Sequence, residues 1–260
     1  MLSACSKPFG KDNDADFVKS PFLIKNYIKL QGREPIVQDL TEAFVELIRR
    51  AATQLPADME KALHEAKTNE DTGSAAEGAL DTILKNVAMA RENSTPICQD
   101  TGTPIFEIYY PLGVSTRKVA ETIRKACAIA TKKSYLRPNA VDSLTGENSG
   151  DNSGVDFPTM HFHEVDGDEI KIDLLLKGGG CENVSTQYKL PNADLGAGRD
   201  MEGVRRVVLD AVNKAQGLGC APGVLGIAVG GDRGASYVKS KQQLFRPLED
   251  KNDVSELAAL

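Results

Sequence analysis

Four short segments of the chain combine residue types that can bind a metal or an anion. The first spans residues 98–102, where the thiol of Cys98, the amide of Gln99 and the carboxylate of Asp100 follow one another. A thiolate is a soft ligand that suits iron, and its polar neighbours can contact a substrate held at that metal. Taken alone, a structural loop around a buried cysteine explains the segment equally well.

The second segment is glycine-rich and follows an apolar run. Three consecutive glycines, ending with Gly179 and Gly180, separate Lys177 from Cys181. Glycine lets backbone N–H groups approach a ligand closely, and such concave stretches of backbone bind anions. The Walker pattern of a nucleotide phosphate loop is absent, so a nucleotide is disfavoured as the ligand.

The third and fourth segments carry Cys220 and Arg137. Cys220 lies among small residues between a predicted helix and a predicted strand, where an ordinary tight turn is the alternative. Arg137 follows a predicted helix and can pair with a carboxylate through two parallel hydrogen bonds, although a surface arginine is the alternative. His161 and His163 share one strand face, but the sequence shows no third ligand for a metal pair.

Composition excludes several classes of protein. With 41% hydrophobic and 26% charged residues, the chain has the composition of a globular protein. A net charge of -6 argues against a general nucleic-acid-binding surface. The five cysteines include no C-x-x-C pair, so neither a disulfide framework nor a zinc ribbon is expected. No apolar run predicts a membrane span or a signal peptide, which makes the cytoplasm the expected location.

The hydrophobic pattern changes along the chain. Residues 1–37 have no regular period, and residues 38–91 repeat their apolar positions as helices do. After residue 95, strand and helix patterns alternate, which predicts an α/β fold with a helical N-terminal region and mixed sheet layers flanked by helices. The predicted elements are a strand at 104–110, a helix at 116–133, a strand pair at 160–165 and 169–176 joined by a turn, a helix at 200–216, a buried strand at 223–229 and a helix at 235–245.

In their order along the chain, these segments resemble the alpha region of class I fumarases and related tartrate dehydratases. The resemblance runs from residue 38 to the end. It rests on CQDTG at 98–102, LRPN at 136–139, GDN at 150–152, KGGG at 177–180 followed by Glu182 and Asn183, and GCAP at 219–222. It implies one iron–sulfur hydro-lyase domain over 38–260 that stops before a C-terminal swivel domain.

The family binds a [4Fe–4S] cluster through three cysteines and leaves one iron open as a Lewis acid. The resemblance therefore implies that Cys98 and Cys220 are two ligands, with the third expected beyond residue 260. Cys181 departs from the family, which usually has serine there. It is either an alternative third ligand or a small residue near the substrate.

The same resemblance implies roles for the other residues. Arg137 would clamp a substrate carboxylate, and Gly179 and Gly180 would offer backbone donors. Gln99 and Asp100 would position the substrate hydroxyl, with Asp100 also able to relay a proton. The main base would come from a C-terminal domain, so the isolated chain is expected to bind the cluster weakly and to lack activity.

The expected reaction is hydration of fumarate to malate, a tricarboxylic acid cycle step, by a homodimer whose other partners are a small dicarboxylate and the C-terminal domain. Tartrate dehydratase and mesaconate hydratase are alternatives within the family. A hydrolase with Cys98 or Cys181 as nucleophile is a different class, and it requires a histidine beside the thiol. A non-catalytic binding scaffold is the remaining alternative.

Overall fold

The computed structural model describes residues 39–259. The irregular segment predicted for 1–37 lies outside the described residues. Within this range, eight α-helices and three β-strands form an α/β fold, which confirms the predicted class. The elements are α1 Thr41–Thr53, α2 Ala57–Asn69, α3 Ala75–Asn93, β1 Thr103–Tyr110, α4 Thr116–Lys132, β2 Thr159–Glu164, β3 Lys171–Lys177, α5 Gly179–Asn183, α6 Met201–Ala215, α7 Arg233–Gln243 and α8 Ser255–Ala258.

Helices α1 and α4 cover one face of the sheet. Phe44, Leu47 and Ile48 form the apolar stripe that the period of α1 predicts, and all three are buried. Helix α4 begins after Ser115, whose hydroxyl accepts a hydrogen bond from the backbone N–H of Lys118. Because both helices bury an apolar face on the same strands, they hold the sheet in a fixed position.

The three strands are ordered β2-β1-β3, with β1 parallel to β2 and antiparallel to β3. The predicted direct pairing of the second and third strands was therefore wrong. Strand β1 occupies the centre because it is buried on both faces, with Phe106 and Ile108 in the main core and Ile105 and Glu107 on the opposite side. A strand that buries both faces is most stable when neighbours cover both of its edges.

The pairing of β1 with β3 brings two of the candidate segments together. Thr103 at the start of β1 is paired with Lys177 at the end of β3. The 98–102 loop and the glycine segment after β3 therefore emerge at the same end of the sheet. Since β2 is parallel to β1, the chain that enters β2 also arrives at this end.

The C-terminal part differs from the prediction in two places. Helix α5 was not predicted, because three glycines favour a loop. The buried strand predicted for 223–229 is absent, and Val224, Leu225 and Val229 are exposed. A strand needs a neighbour for its backbone, and no strand described between residues 39 and 259 pairs with this run. None of the helices in the described range has the length and hydropathy of a membrane span.

Candidate functional site

Asp100 ties the 98–102 loop to the glycine segment. Its Oδ2 accepts a hydrogen bond of 2.8 Å from the backbone N–H of Gly179, and its Oδ1 accepts one of 3.1 Å from Gly102. The glycine backbone thus approaches a carboxylate closely. In this structure the anion that contacts the N–H of Gly179 belongs to the protein itself.

Position 102 requires glycine, because of its backbone conformation and because the backbone of Lys177 lies very close. Its φ of +78° lies in the left-handed region, and a Cβ there would come within 2.7 Å of the backbone carbon of Lys177. Only glycine satisfies both conditions without a shift of the backbone. The loop that carries Cys98 is therefore packed directly against the end of β3.

Arg137 joins the same loop. Its backbone N–H donates to Thr101 Oγ1 at 2.9 Å, and its Nη1 donates to the carbonyl of Gln99 at 3.3 Å. A guanidinium carries five N–H donors. Arg137 is exposed, and the contact with Gln99 engages one of these donors. The arginine is thus held beside the loop with donors available for a carboxylate.

Asn152 organises this corner, a role that sequence reasoning missed although GDN was one of the matching motifs. The residue is 2% exposed and has a φ of +59°. Its Nδ2 donates to the carbonyl of Arg137 at 2.7 Å and to Thr131 Oγ1 at 2.9 Å, and its Oδ1 accepts from the N–H of Asn139 at 2.7 Å. A fully hydrogen-bonded buried amide of this kind fixes the backbone around it.

The Cys220 segment lies against α5. A Cβ on Gly180 would lie 3.8 Å from the carbonyl oxygen of Leu218, and one on Gly219 would lie 3.2 Å from Val184 Cγ2. These contacts lie on both sides of Cys181 in one segment and directly before Cys220 in the other. The glycines permit this close approach of two backbones.

The pKa of Cys220 depends on the charges of the two other candidate thiols, Cys98 and Cys181. Burial raises the pKa of Cys220, and the negative charges of Cys181, Cys98 and Asp100 raise it further. Cys98 and Cys220 are exposed and Cys181 is half-buried. The three thiols and the carboxylate therefore lie close enough to interact electrostatically, and a nearby cation would relieve their mutual repulsion. Cys127 differs, because it lies in the core and burial raises its pKa to about 12.

Glu182 forms an ion bridge beside this region that sequence reasoning also missed. Its Oε2 lies 3.1 Å from Nζ of Lys177, and its Oε1 accepts a hydrogen bond from Nζ of Lys241. Burial raises the pKa of Glu182, but the hydrogen bonds from the two lysines outweigh it and hold that pKa below its ordinary value. The only sequence signal was the position of Glu182 inside a matching motif.

His163, one of the two histidines considered as a metal pair, contacts a buried glutamate instead. Glu107, buried on the second face of the sheet, contacts Nε2 of His163 and accepts a hydrogen bond of 3.1 Å from Gln242 Nε2. His163 is paired with Tyr109, near the end of β1 opposite Thr103 and roughly 20 Å along the strand from it. This position disfavours a Cys98–His163 pair, which the cysteine hydrolase with Cys98 as nucleophile would need.

Comparison with known proteins identifies relatives along most of the chain. The family model described as "Fumarate hydratase (Fumerase)" matches residues 41–260. A Geobacillus stearothermophilus protein, assigned by its name to class I fumarate hydratase, is 48% identical over 227 residues, which is 86% of this chain and 44% of that protein.

Tartrate dehydratase subunits are also similar. A Methanocaldococcus jannaschii protein, assigned by its name as an L(+)-tartrate dehydratase subunit alpha, is 34% identical over 85% of this chain and 77% of its own length. The L(+)-tartrate dehydratase subunit alpha of Escherichia coli K12 is 26% identical over 88% of this chain and 74% of its own length. The chain thus spans less than half of the Geobacillus protein and about three quarters of these subunits. The chain belongs to the fumarate hydratase (Fumerase) family.

Proposed function

We propose that this chain is the cluster- and substrate-binding part of a [4Fe–4S] hydro-lyase that hydrates fumarate to malate. One observation carries the proposal: the segments bearing Cys98, Cys181 and Cys220 adjoin one another at one end of the sheet, beside Asp100 and Arg137. Membership of the fumarate hydratase family supports the reaction class.

The chemistry of the donors fits an iron–sulfur cluster. Within residues 39–259, no group of three histidine, cysteine or acidic side chains is close enough to enclose a single metal ion. A multi-iron cluster distributes its cysteine ligands over separate iron atoms, so its thiols need not crowd around one ion. Cys98 and Cys220 would hold the cluster, and Cys181 is the alternative third ligand. When bound, such a cluster supplies a Lewis-acidic iron for the substrate hydroxyl.

The remaining residues would bind and orient the dicarboxylate. Arg137 would pair with one carboxylate, because its guanidinium is exposed and held beside Gln99. Negative charge develops on a substrate carboxylate when the adjacent carbon loses its proton, and one preorganised donor can stabilise it by about 3 kcal/mol. Gln99 would contact the substrate hydroxyl.

Asp100 and the glycines would act together. The carboxylate of Asp100 accepts the N–H of Gly179, so this donor reaches substrate only when Asp100 moves. Asp100 Oδ2 could thus exchange its contact with Gly179 for one with the substrate hydroxyl. Gly180 would supply the second backbone donor.

Other features of the proposal depend on protein outside this chain. Because the relatives include alpha subunits and a longer protein, a partner domain or subunit is expected to complete the enzyme. We propose that it supplies the main base and the third cluster ligand. We propose that the complete enzyme is a cytoplasmic homodimer and that its reaction is a step of the tricarboxylic acid cycle.

Thiol substitution in the complete enzyme tests the cluster. After anaerobic reconstitution with iron and sulfide, Cys98→Ala and Cys220→Ala should each lose the visible absorbance of the cluster. Cys127→Ala, which removes a core thiol on α4, is the matched control and should retain it. An unchanged spectrum for Cys98→Ala would remove Cys98 from the ligand set.

Tartrate is the alternative substrate, because several relatives are named as tartrate dehydratase subunits. Fumarate and L(+)-tartrate should be compared by their kcat/KM values in the complete enzyme. A higher value for fumarate is expected, and a higher value for tartrate would reassign the substrate within the same family.

A further inference from the structure

The ion bridge of Glu182 connects three separate elements. Lys177 is the last residue of β3, Glu182 lies in α5, and Lys241 lies in the last turn of α7. Both carboxylate oxygens of Glu182 are engaged, one by each lysine. The bridge therefore joins the rigid sheet to a helix far along the chain.

Helix α7 depends on such polar contacts. None of its residues is buried, so apolar packing contributes little to its position. Its hydrogen bonds to other described elements run from Lys241 to Glu182 and from Gln242 to Glu107, and its first carbonyl accepts one of 2.9 Å from Gln187. Of these contacts, the ion bridge is the one that adjoins α5 and Cys181.

The segment that carries Cys220 leads directly into this helix. Gly226 is packed against α7 so closely that a Cβ there would clash with the carbonyl oxygen of Ser240. On its other side, Gly219 contacts Val184, which directly follows α5, and the preceding Leu218 lies beside Gly180 of α5. The position of Cys220 is thus set from two sides, by α7 and by α5.

We propose that Glu182 is a positioning residue: by holding Lys241 and Lys177 together, it docks α7 and the 219–231 segment against α5 and so places Cys220 opposite Cys98. The part that concerns the cluster rests on the proposed function. The docking itself is a property of the chain alone.

The two lysines differ in what their removal would do. The side chain of Lys177 is 9% exposed, and loss of Glu182 would leave this charge buried without a partner, which destabilises folded proteins strongly. Lys241 is more exposed, and its removal leaves the Lys177–Glu182 pair intact. Lys241→Met is therefore the selective test. Lys239→Met is the matched control, because it removes the same charge from an exposed position on the same helix, without an ion pair in the described part of the chain.

The first measurement is amide hydrogen exchange of the chain without a cluster. Lys241→Met should speed exchange across residues 219–243 and leave α1 and α4 unchanged, because only the docking contact is lost. Lys239→Met should match the wild type, and Lys241→Arg should restore slow exchange, since a guanidinium can keep the pair. Equal exchange in the Lys241→Met and Lys239→Met chains would overturn the proposal.

The second measurement is the iron and sulfide content and the visible spectrum of the complete enzyme after anaerobic reconstitution. Loss of a group that orients a metal ligand typically lowers metal affinity about 10–100-fold, and a loss at the lower end is expected for Lys241→Met. Retention of the wild-type affinity in Lys241→Met would overturn the link to Cys220. If the wild type itself binds no cluster, the proposed function fails, while the exchange comparison still decides the docking.

Discussion

The two halves of this molecule are stabilised in different ways. Every member of the main hydrophobic cluster lies between Phe44 and Ile172, where α1 and α4 pack on the sheet. In the described C-terminal part, none of residues 208–259 is buried. Apolar burial is the main favourable term in folding, so the first half carries most of the stability and the second is attached largely by polar contacts.

The candidate site lies across the boundary between these halves. Cys98, Asp100 and Arg137 belong to loops fixed directly to the sheet. Cys220 belongs to the weakly packed half. A metal centre that joined them would contribute its binding free energy to the folding of the second half. The first half is therefore expected to resist unfolding more than the second.

The largest expected effect tests the unequal stability. Phe106→Ala should lower the free energy of unfolding by about 3–5 kcal/mol, because it leaves a cavity in a fully buried site. Leu225→Ala removes a side chain that is 59% exposed and should change it by less than about 0.5 kcal/mol. Urea unfolding monitored by circular dichroism measures both. Comparable losses would show that the second half contributes equally.

A second experiment concerns the attachment of the Cys98 loop to β3. Gly102→Ala places a Cβ against the backbone of Lys177, and such overpacking costs about 1–3 kcal/mol. Gly150→Ala is the matched control, because its φ of +77° is nearly the same and a Cβ there meets nothing within 4 Å. The difference between the two variants in thermal unfolding isolates the clash. Equal losses would mean that the loop can move away from β3.

The third prediction addresses the amide that fixes Arg137. Asn152→Asp keeps the shape but replaces the Nδ2 donor by a carboxylate oxygen. The carbonyl of Arg137 then loses its partner at a cost of about 1–3 kcal/mol, and burial of the new negative charge adds to this loss. Asn148→Asp makes the same change at an exposed position, where water can replace the lost bond, and should cost much less. The denaturant midpoints of the two variants measure the two losses of stability. A loss for Asn148→Asp as large as that for Asn152→Asp would contradict the role of burial.

The smallest expected effect is a pH dependence within the first half. The hydrogen bond from Arg49 outweighs burial and, together with Arg50, lowers the pKa of Glu46 from 4.5 to about 2. A carboxyl whose pKa is lowered by folding stabilises the protein above its unfolded pKa, and the contribution is lost as the pH falls through the folded value. Because the side chain is 38% exposed, solvent screening limits the gain to less than about 1 kcal/mol.

Glu46→Gln should therefore be less stable than the wild type at neutral pH, with a difference that shrinks as the pH falls from about 5 to 2. Glu92→Gln, an exposed glutamate of α3, controls for the change in net charge. Urea unfolding at several pH values measures the difference. A difference that does not depend on pH would show that the ion pair contributes nothing through titration.

The sequence by itself determined the helices that carry an apolar stripe, since a period of 3.6 residues is a local property. It also indicated the 98–102 loop, the glycine segment and the Cys220 turn, because thiols and glycines mark loops by residue type alone. The apolar run at 223–229 was wrongly predicted to be a buried strand. An apolar run with glycines has no period that distinguishes a paired strand from an irregular segment.

Only the tertiary structure decided which of these pieces meet. The position of β1 between β2 and β3 depends on pairing between residues distant in sequence, and that pairing brought Asp100 to Gly179. The bridge from Lys241 to Glu182 spans a similar separation. Local patterns do not record such contacts, because the free energy that selects them comes from burial and charge pairing in the assembled fold.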